Sequence, residues 1–372
     1  MVIIMEKYEI SAPGRVEIGG NHTDHQHGPV LAAAVDLEIK CTAAPNNSST
    51  VSISNEQYGS LSIDLSDLTI REGEKETTAA LVRGVAAWFS QRGHNIGGFD
   101  ATVSSTIPVG SGLSSSAAFE VLIGNVFKEL FGACVTPLEI AVAGRYAENV
   151  YFGKPCGLMD QAASSFGGLN LIDFADPENI IVTPVKARLE GYEMCVVETG
   201  GSHADLTGEY AAIPQEMKSV ANHFGYDYLN DLPPETFFSS IEKLRSAELS
   251  DRAILRAIHF FAERTRAKKQ AVALDSGDTS EFLYLVNESG RSSLAYLQNV
   301  FTPHSPKDQG LTIALALSEK LLSGKGAWRV HGGGFAGTIL AFVPLDIKEE
   351  YRKQMSVVFG ENSCHFLNIN YK

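Results

Sequence analysis

Over the first hundred residues, β-branched and apolar positions come in short alternating runs. Residues 30–41 and 50–65 read as strands, with Asn46-Asn47-Ser48-Ser49 as the turn between them. The period then changes: across 77–91, Leu81, Val85, Trp88 and Phe89 share one helical face, and Gly93 marks the stop. Residues 99–107 read as another strand, ended by Pro108. Residues 114–131 are helical by period, with Ala117, Ala118, Val121, Leu122 and Leu130 on one stripe. Thr136, Pro137 and Glu139 supply an N-cap, a first-turn proline and a capping-box partner for a helix that reaches about Tyr151 and stops at Gly153-Lys154-Pro155. Residues 169–174 and 180–185 read as strands joined at Asp176-Pro177.

Beyond that point the pattern is mostly helical, over 208–224, 234–247, 252–274, 280–297 and 305–322. Strands are expected at 327–331 and 338–343, linked by glycines, and at 364–369. Strands interleaved with helices predict an α+β fold in two parts. The chain has 372 residues, which at about 150 per domain agrees with two domains, 1–185 and 186–372.

Composition narrows the function classes. Hydrophobic residues make up 44% and charged residues 20%, a globular balance that excludes a disordered or fibrous chain. Thirty basic against 44 acidic residues leave a net charge of −14, which disfavours nucleic acid and anionic membrane surfaces as partners. An anionic substrate then requires a local pocket of positive potential. The five cysteines are odd in number and scattered, so neither a disulfide framework nor a zinc site is indicated. Residues 1–10 lack a signal-peptide core, and no apolar run approaches the roughly 20 residues of a membrane span. A cytoplasmic protein with reduced thiols is expected.

Four segments carry candidate chemistry. Pro108-Val109-Gly110-Ser111-Gly112-Leu113-Ser114-Ser115-Ser116 lies between a strand and an amphipathic helix. Glycines allow close backbone approach, and a helix N-terminus offers unpaired N–H groups, which together suit a phosphate. It is not a Walker loop, because no Lys-Ser/Thr pair follows a glycine at the required spacing; a plain turn capping a helix is the alternative. Residues 12–28 crowd Arg15, His22, Asp24, His25 and His27 between glycines, either as a solvated turn or as the lining of a site. In Cys156-Gly157-Leu158-Met159-Asp160-Gln161, Asp160 follows a bulky apolar pair at a helix start. Glu148, on an otherwise largely apolar helix, calls for a cation, either a side chain or Mg²⁺. The last segment is Arg329-Val330-His331-Gly332-Gly333-Gly334, where consecutive glycines between strands indicate either a hairpin or close backbone approach to a ligand.

The order of these segments resembles the galactokinase branch of the GHMP kinases along nearly the whole chain. The resemblance lies in APGRVEIGGNHTDHQHG (12–28), PVGSGLSSSAA (108–118), CGLMDQ (156–161) and RVHGGGFAG (329–337), with Leu206-Thr207-Gly208-Glu209-Tyr210 as a further match. It implies an N-terminal domain like ribosomal protein S5 domain 2, a ferredoxin-like C-terminal domain, and an ATP-dependent sugar 1-kinase whose site lies in the cleft. By this resemblance Asp160 is the acid beside the sugar's anomeric hydroxyl and Arg15 the arginine facing it. Asn21, His22, Asp24, Gly157 and Tyr210 match sugar-contacting positions. Gly110, Ser111, Gly112, Leu113, Ser114, Ser115 and Ser116, with Gly332, Gly333 and Gly334, match positions around the nucleotide phosphates. Ser116 and Glu148 match the Mg²⁺ ligands.

This chain departs from the family at several places. Galactokinases commonly read GEHTDY, where this chain has Gly20-Asn21-His22-Thr23-Asp24-His25. A glutamate at 21 facing a C6 carboxylate at about 4 Å would cost about 4 kcal/mol at an effective dielectric near 20, whereas an asparagine can donate to it. The string HTDHQ also resembles that of plant galacturonate kinases, which makes galacturonate the runner-up; galactose remains the first expected substrate, because an amide pairs equally with a neutral hydroxyl and most of the remaining pattern is galactokinase-like. His331 replaces a usual threonine, and Ala336 a usual glycine. A non-catalytic sugar sensor is the alternative from another class; Asp160, Arg15, Ser116 and Glu148 argue against it.

Overall fold

The computed structural model describes residues 6–55, 59–108, 110–186, 189–201, 206–247 and 249–371. Val109, in the glycine-serine segment, lies outside them. The first half builds a seven-stranded sheet from β1 (Tyr8–Gly19), β2 (Val30–Pro45), β3 (Thr50–Asn55), β4 (Gly59–Asp64), β5 (Phe99–Ser105), β6 (Leu169–Asp173) and β7 (Ile181–Pro184). Its order is β4-β3-β5-β2-β6-β7, with β1 on β2. The long β2 is the spine: one part pairs with β5, another with β6, and β1 runs antiparallel along it. Register shifts in β1 fall between Pro13 and Arg15 and between Glu17 and Gly19. Such bulges re-aim side chains, and both flank residues of the site. Helices α1 (Thr78–Gln91), α2 (Ser115–Phe131), α3 (Pro137–Tyr146) and α4 (Met159–Phe166) accompany this sheet.

The second sheet, in the order β11-β8-β10-β9, contains β8 (Tyr192–Glu198), β9 (Ala327–Val330), β10 (Thr338–Pro344) and β11 (Cys364–Leu367), all antiparallel. Between β8 and β9 the chain forms α5 (Thr207–His223), α6 (Pro234–Phe238), α7 (Ile241–Ser246), α8 (Asp251–Asp275), α9 (Thr279–Ser292) and α10 (Gly310–Leu322); α11 (Lys348–Phe359) precedes β11.

Local signals account for the caps. Thr77 caps α1 by accepting from the Ala80 N–H, and Thr136 and Glu139 form the expected reciprocal capping box. The expected single strand over 50–65 is instead the β3–β4 hairpin, and 234–247 is two short helices, α6 and α7. The helix expected from 305 starts only at Gly310. The pattern gave no signal for β1, β8 or α11. The centre of β8, Met194 to Val197, is buried throughout, so it lacks the alternation of a half-exposed strand.

The two halves share a core. Val16, Leu31 and Val35 of the first sheet belong to one hydrophobic cluster with Leu274, Phe282 and Val286 of α8 and α9 and with Leu340 and Phe342 of β10. Beside it runs a polar tie. Arg329 on β9, fully buried, donates from Nη2 to Glu17 Oε1 on β1 (2.7 Å) and from Nη1 to the Ile18 carbonyl (2.8 Å). Burial pushes the Glu17 carboxyl up, opposed by the Arg329 and Arg15 charges. Breaking such a pair leaves an uncompensated buried charge. Arg329→Met should therefore cost about 3–5 kcal/mol of stability, read as a lowered midpoint in chemical unfolding.

Candidate active site

Residues 12–28, the glycine-serine loop and the 156–161 segment meet around Arg15. From β1, Arg15 forks onto Asp160 at the start of α4, Nε to Oδ1 and Nη2 to Oδ2, both at 2.8 Å. These residues lie 145 apart in the chain. The third arm of the fork, Nη1, donates to the Gly112 carbonyl (2.6 Å), and the Arg15 N–H donates to the Leu113 carbonyl (3.1 Å). The loop thus lies against β1. Ser114 Oγ donates to Asp160 Oδ2 in a short hydrogen bond. Burial pushes the Asp160 carboxyl up, but the Arg15 charge and its hydrogen bonds, with that from Ser114, outweigh this and hold it below the usual carboxylate range. The Asp160 side chain is still 32% exposed, against 7% for Arg15, so a ligand hydroxyl can reach the carboxylate.

The loop itself alternates into the left-handed region at Gly110 (φ 81°), Gly112 (φ 70°) and Ser114 (φ 55°). Such alternation turns successive N–H groups inward and makes an anion-binding concavity. Ser114 is the N-cap of α2, yet its hydroxyl caps nothing because it serves Asp160. The first N–H groups of α2, at Ser115, Ser116 and Ala117, therefore have no side-chain cap, and the helix dipole adds to their pull on an anion. Gly112 admits no larger residue: a Cβ there would sit 2.6 Å from Thr338 Oγ1. Ser111 is buried, and its Oγ donates to the Pro108 carbonyl.

Asp24 and Gly157 are brought into contact, since a Cβ on Gly157 would fall 2.2 Å from Asp24 Oδ2. His22 is buried at φ 58°, an uncommon conformation that marks a constrained position. Burial pushes its imidazole down to about 3, so it is neutral, and its Nε2–H donates to the Gly333 carbonyl (3.0 Å). Tyr210 OH donates to the Gly334 carbonyl (3.0 Å), and burial pushes this phenol up to about 12. Asn21 is fully buried, and its amide donates to Glu17 and to the Gly332 carbonyl. Four of the five residues matched to sugar contacts are therefore in place around the glycine turn or Asp24, while Asn21 sits beneath the surface.

Glu148 lies in a π-helical turn after α3 (Ala147–Phe152), buried, with Oε2 accepting from Gln161 Nε2 (2.9 Å) and Oε1 from Lys154 Nζ (3.4 Å). The same Gln161 amide donates to Glu120 Oε2 (2.9 Å), and Glu120 is one helical turn after Ser116 on α2. Burial, reinforced by the Glu148 charge, holds the Glu120 carboxyl well above its usual range. Among the described residues no group of three or more His, Cys, Asp or Glu is placed to hold a metal ion by itself.

The same stretches carry the matches to known proteins. Residues 80–168 match the GHMP kinases N terminal domain, and residues 6–45 match the galactokinase galactose-binding signature. A galactokinase from Glaesserella parasuis serovar 5 is 30% identical over 363 residues, 94% of this chain and 90% of the relative. The chain belongs to the galactokinase family. The structure of Lactococcus lactis galactokinase complexed with galactose superposes with a TM-score of 0.83 at 26% identity, covering 98% of this chain and 94% of that one. The L. major mevalonate kinase, at 14% identity and TM-score 0.67 over 99% and 98% of the two chains, shares the fold. As a galactokinase-family member the chain is an ATP-dependent sugar kinase with the GHMP kinase fold.

In this galactokinase-family site, Glu17, Gln161 and Arg329 lay within flagged segments but were given no role, and Glu120, Glu263 and Asn299 were not flagged at all. Glu120 had a signal: an acid inside the apolar stripe Ala117-Ala118-Val121-Leu122. His331 turns out to be buried and neutral, pushed well below its usual range by burial. Its Nε2 accepts from the Glu17 N–H, so Nδ1–H donates to Thr338 Oγ1 (3.1 Å).

Two outcomes follow from this geometry. Without the Arg15 charge and its hydrogen bonds, burial is opposed only by the Ser114 hydrogen bond and the Lys154 charge, and the Asp160 carboxyl shifts upward. Arg15→Met should cut kcat/KM by about 100-fold or more, and the acidic limb of its pH profile should move to higher pH than in the wild type, where Asp160 stays charged below the usual carboxylate range. Gly157→Ala should displace Asp24 and raise KM for the sugar by about tenfold, with nucleotide affinity measured by calorimetry unchanged.

Proposed function

We propose that the chain transfers the γ-phosphoryl group of ATP to the anomeric O1 of galactose, forming galactose 1-phosphate and ADP. The observation that carries this is the Arg15 fork on a partly exposed Asp160, hydrogen-bonded to the residue that opens α2 beneath the left-handed loop. Asp160 accepts the hydrogen bond, and then the proton, of O1 as the O1–P bond forms and the bond from Pγ to the β,γ-bridging oxygen breaks. Arg15 keeps the carboxylate charged at working pH and offsets charge on the phosphoryl group in flight. The N–H groups of the first turn of α2, with those of the loop before it other than Ser111, whose N–H donates to the Pro108 carbonyl, receive the nucleotide phosphates. Catalysis of this kind needs positioning and charge stabilisation more than covalent chemistry.

Mg²⁺ fits the donors present. It takes one or two protein oxygens plus substrate phosphates and water, and Glu148 and Ser116 would supply a buried carboxylate and a hydroxyl. Glu148's ion-pair partner Lys154 has a side chain that is 65% exposed. Bound with ATP, the ion neutralises charge on the phosphates. Gln161 keeps the Glu148 carboxylate oriented. The strands of the seven-stranded sheet all precede residue 185 and those of the four-stranded sheet all follow it, which supports 1–185 and 186–372 as the two domains. Among the described residues no helix is long and apolar enough to cross a membrane.

A coupled ADP assay with galactose, galacturonate, N-acetylgalactosamine, arabinose and glucose tests the substrate; galactose should turn over fastest. Asp160→Asn should lose sugar-dependent ADP formation by about 10²–10⁴-fold while binding nucleotide normally, and undiminished turnover in that variant would remove Asp160 from its role.

A further inference from the structure

An asparagine side chain can make four strong hydrogen bonds, two from its NH₂ and two at its oxygen. At Asn21 all four are made within the protein. Nδ2 donates to Glu17 Oε1 (2.9 Å) and to the Gly332 carbonyl (2.7 Å); Oδ1 accepts from Asn299 Nδ2 (2.9 Å) and Ser293 Oγ (3.2 Å). The partners fix the orientation, because exchanging N and O would set the amide oxygen against a carboxylate and a carbonyl. The main chain is held as well: the Asn21 carbonyl accepts from His259 Nε2 (2.9 Å), and its N–H donates to Glu263 Oε1 (3.4 Å). The residue is 0% exposed. Nothing in this side chain is left to contact a sugar.

What it holds is the glycine turn. The carbonyl of Gly332 is bound by Asn21, that of Gly333 by His22 and by Asn299 Nδ2 (3.1 Å), and that of Gly334 by Tyr210. In a planar trans peptide the C=O and the following N–H point in opposite directions. With the first two carbonyls drawn toward Asn21 and His22, the N–H groups of Gly333 and Gly334 are turned the other way, as an oriented pair of donors.

Given that the chain is a galactose kinase, as proposed above, we infer that Asn21 is a positioning residue for the glycine turn and not a sugar ligand. It sets the Gly333 and Gly334 N–H groups for the phosphate groups of the nucleotide, and discrimination at C6 rests on other residues. Replacement of the family's usual glutamate by Asn21 then confers no preference for a uronic acid, since the two N–H groups that a C6 carboxylate would need are already committed.

Asn21→Asp sets a carboxylate against Glu17 and removes the donor to Gly332. The double variant Glu17→Gln/Asn21→Asp restores the first contact, with donor and acceptor exchanged, but not the second. In Asn21→Asp we expect a lowered melting temperature, weakening of nucleotide binding by about tenfold in calorimetry, and a matching rise in KM for ATP. The ratio of kcat/KM for galactose to that for its 6-deoxy analogue should stay within about twofold of wild type. In the double variant the melting temperature should recover only in part, because Glu17→Gln relieves the clash with the new carboxylate but also loses the Arg329 charge pair, while nucleotide affinity stays low. The inference is overturned if the galactose to 6-deoxy ratio shifts by about tenfold or more, if nucleotide affinity is unchanged, or if that affinity recovers together with stability. Should Asn21→Asp not fold, Ser293→Ala, which removes one donor to Oδ1, is read by the same calorimetry and the same ratio. Wild-type protein that forms no ADP with galactose would defeat the substrate assignment instead, and the calorimetric comparison would still judge the turn.

Discussion

Burial raises the pKa of a carboxylate, and at Asp160 the Arg15 guanidinium outweighs it and favours the charged form. Two parallel N–H···O bonds fix the geometry of the pair as well as its charge. The fork needs strand β1, helix α4 and the loop before α2 in one arrangement. The bulges on either side of Arg15, the Leu113 carbonyl on its N–H and the Gly112 carbonyl on its third arm all serve that end. Take the fork away and strand, helix and loop keep only the Ser114 bond to Asp160 and main-chain contacts between them, and the carboxylate loses its principal counter-charge.

A second constraint joins the halves. Glu17 and Arg329 meet in the interior, and Asn21, Glu263, His259, Ser293 and Asn299 extend the polar seam around the glycine turn. Buried networks of this kind stabilise one arrangement only when each member is satisfied, because a missing partner in low dielectric is expensive. Glu263 illustrates the balance: burial pushes its carboxyl up, yet the charges of Arg266, His259 and Arg329 and the Ser289 hydroxyl pull it down to about 2. The seam thereby ties the sugar motif to a turn more than 300 residues away in the chain, the 311-residue step from Asn21 to Gly332.

Legibility followed the range of the forces involved. The Thr136 cap, the stripe of α2 and the glycine-serine loop before it depend on neighbours a few residues apart, and each could be read from the residues themselves. Strand β8 could not, because its place at the centre of a sheet removes the alternation that would betray it. The 50–65 run kept its strand character, but the hairpin that divides it left no turn signal strong enough to read. At the site, the charged and glycine-rich segments stood out as sequences, whereas Glu17, Glu120, Gln161 and Asn299 were inconspicuous. Their importance comes from what they face.

Composition and motif order pointed to a globular α+β sugar kinase of the galactokinase family, which the matches to known proteins bear out, and they singled out Asp160, Arg15 and the 110–116 loop as candidates for its chemical centre. The tertiary structure decided which of the flagged residues keep exposed polar groups and which are turned into the protein. Asn21 shows the difference: its type and position are those of a sugar contact, but its four hydrogen bonds all close on side chains and carbonyls of this chain. Hydrogen-bond capacity is finite and short-ranged, so the use made of it depends on distances that a linear sequence does not contain.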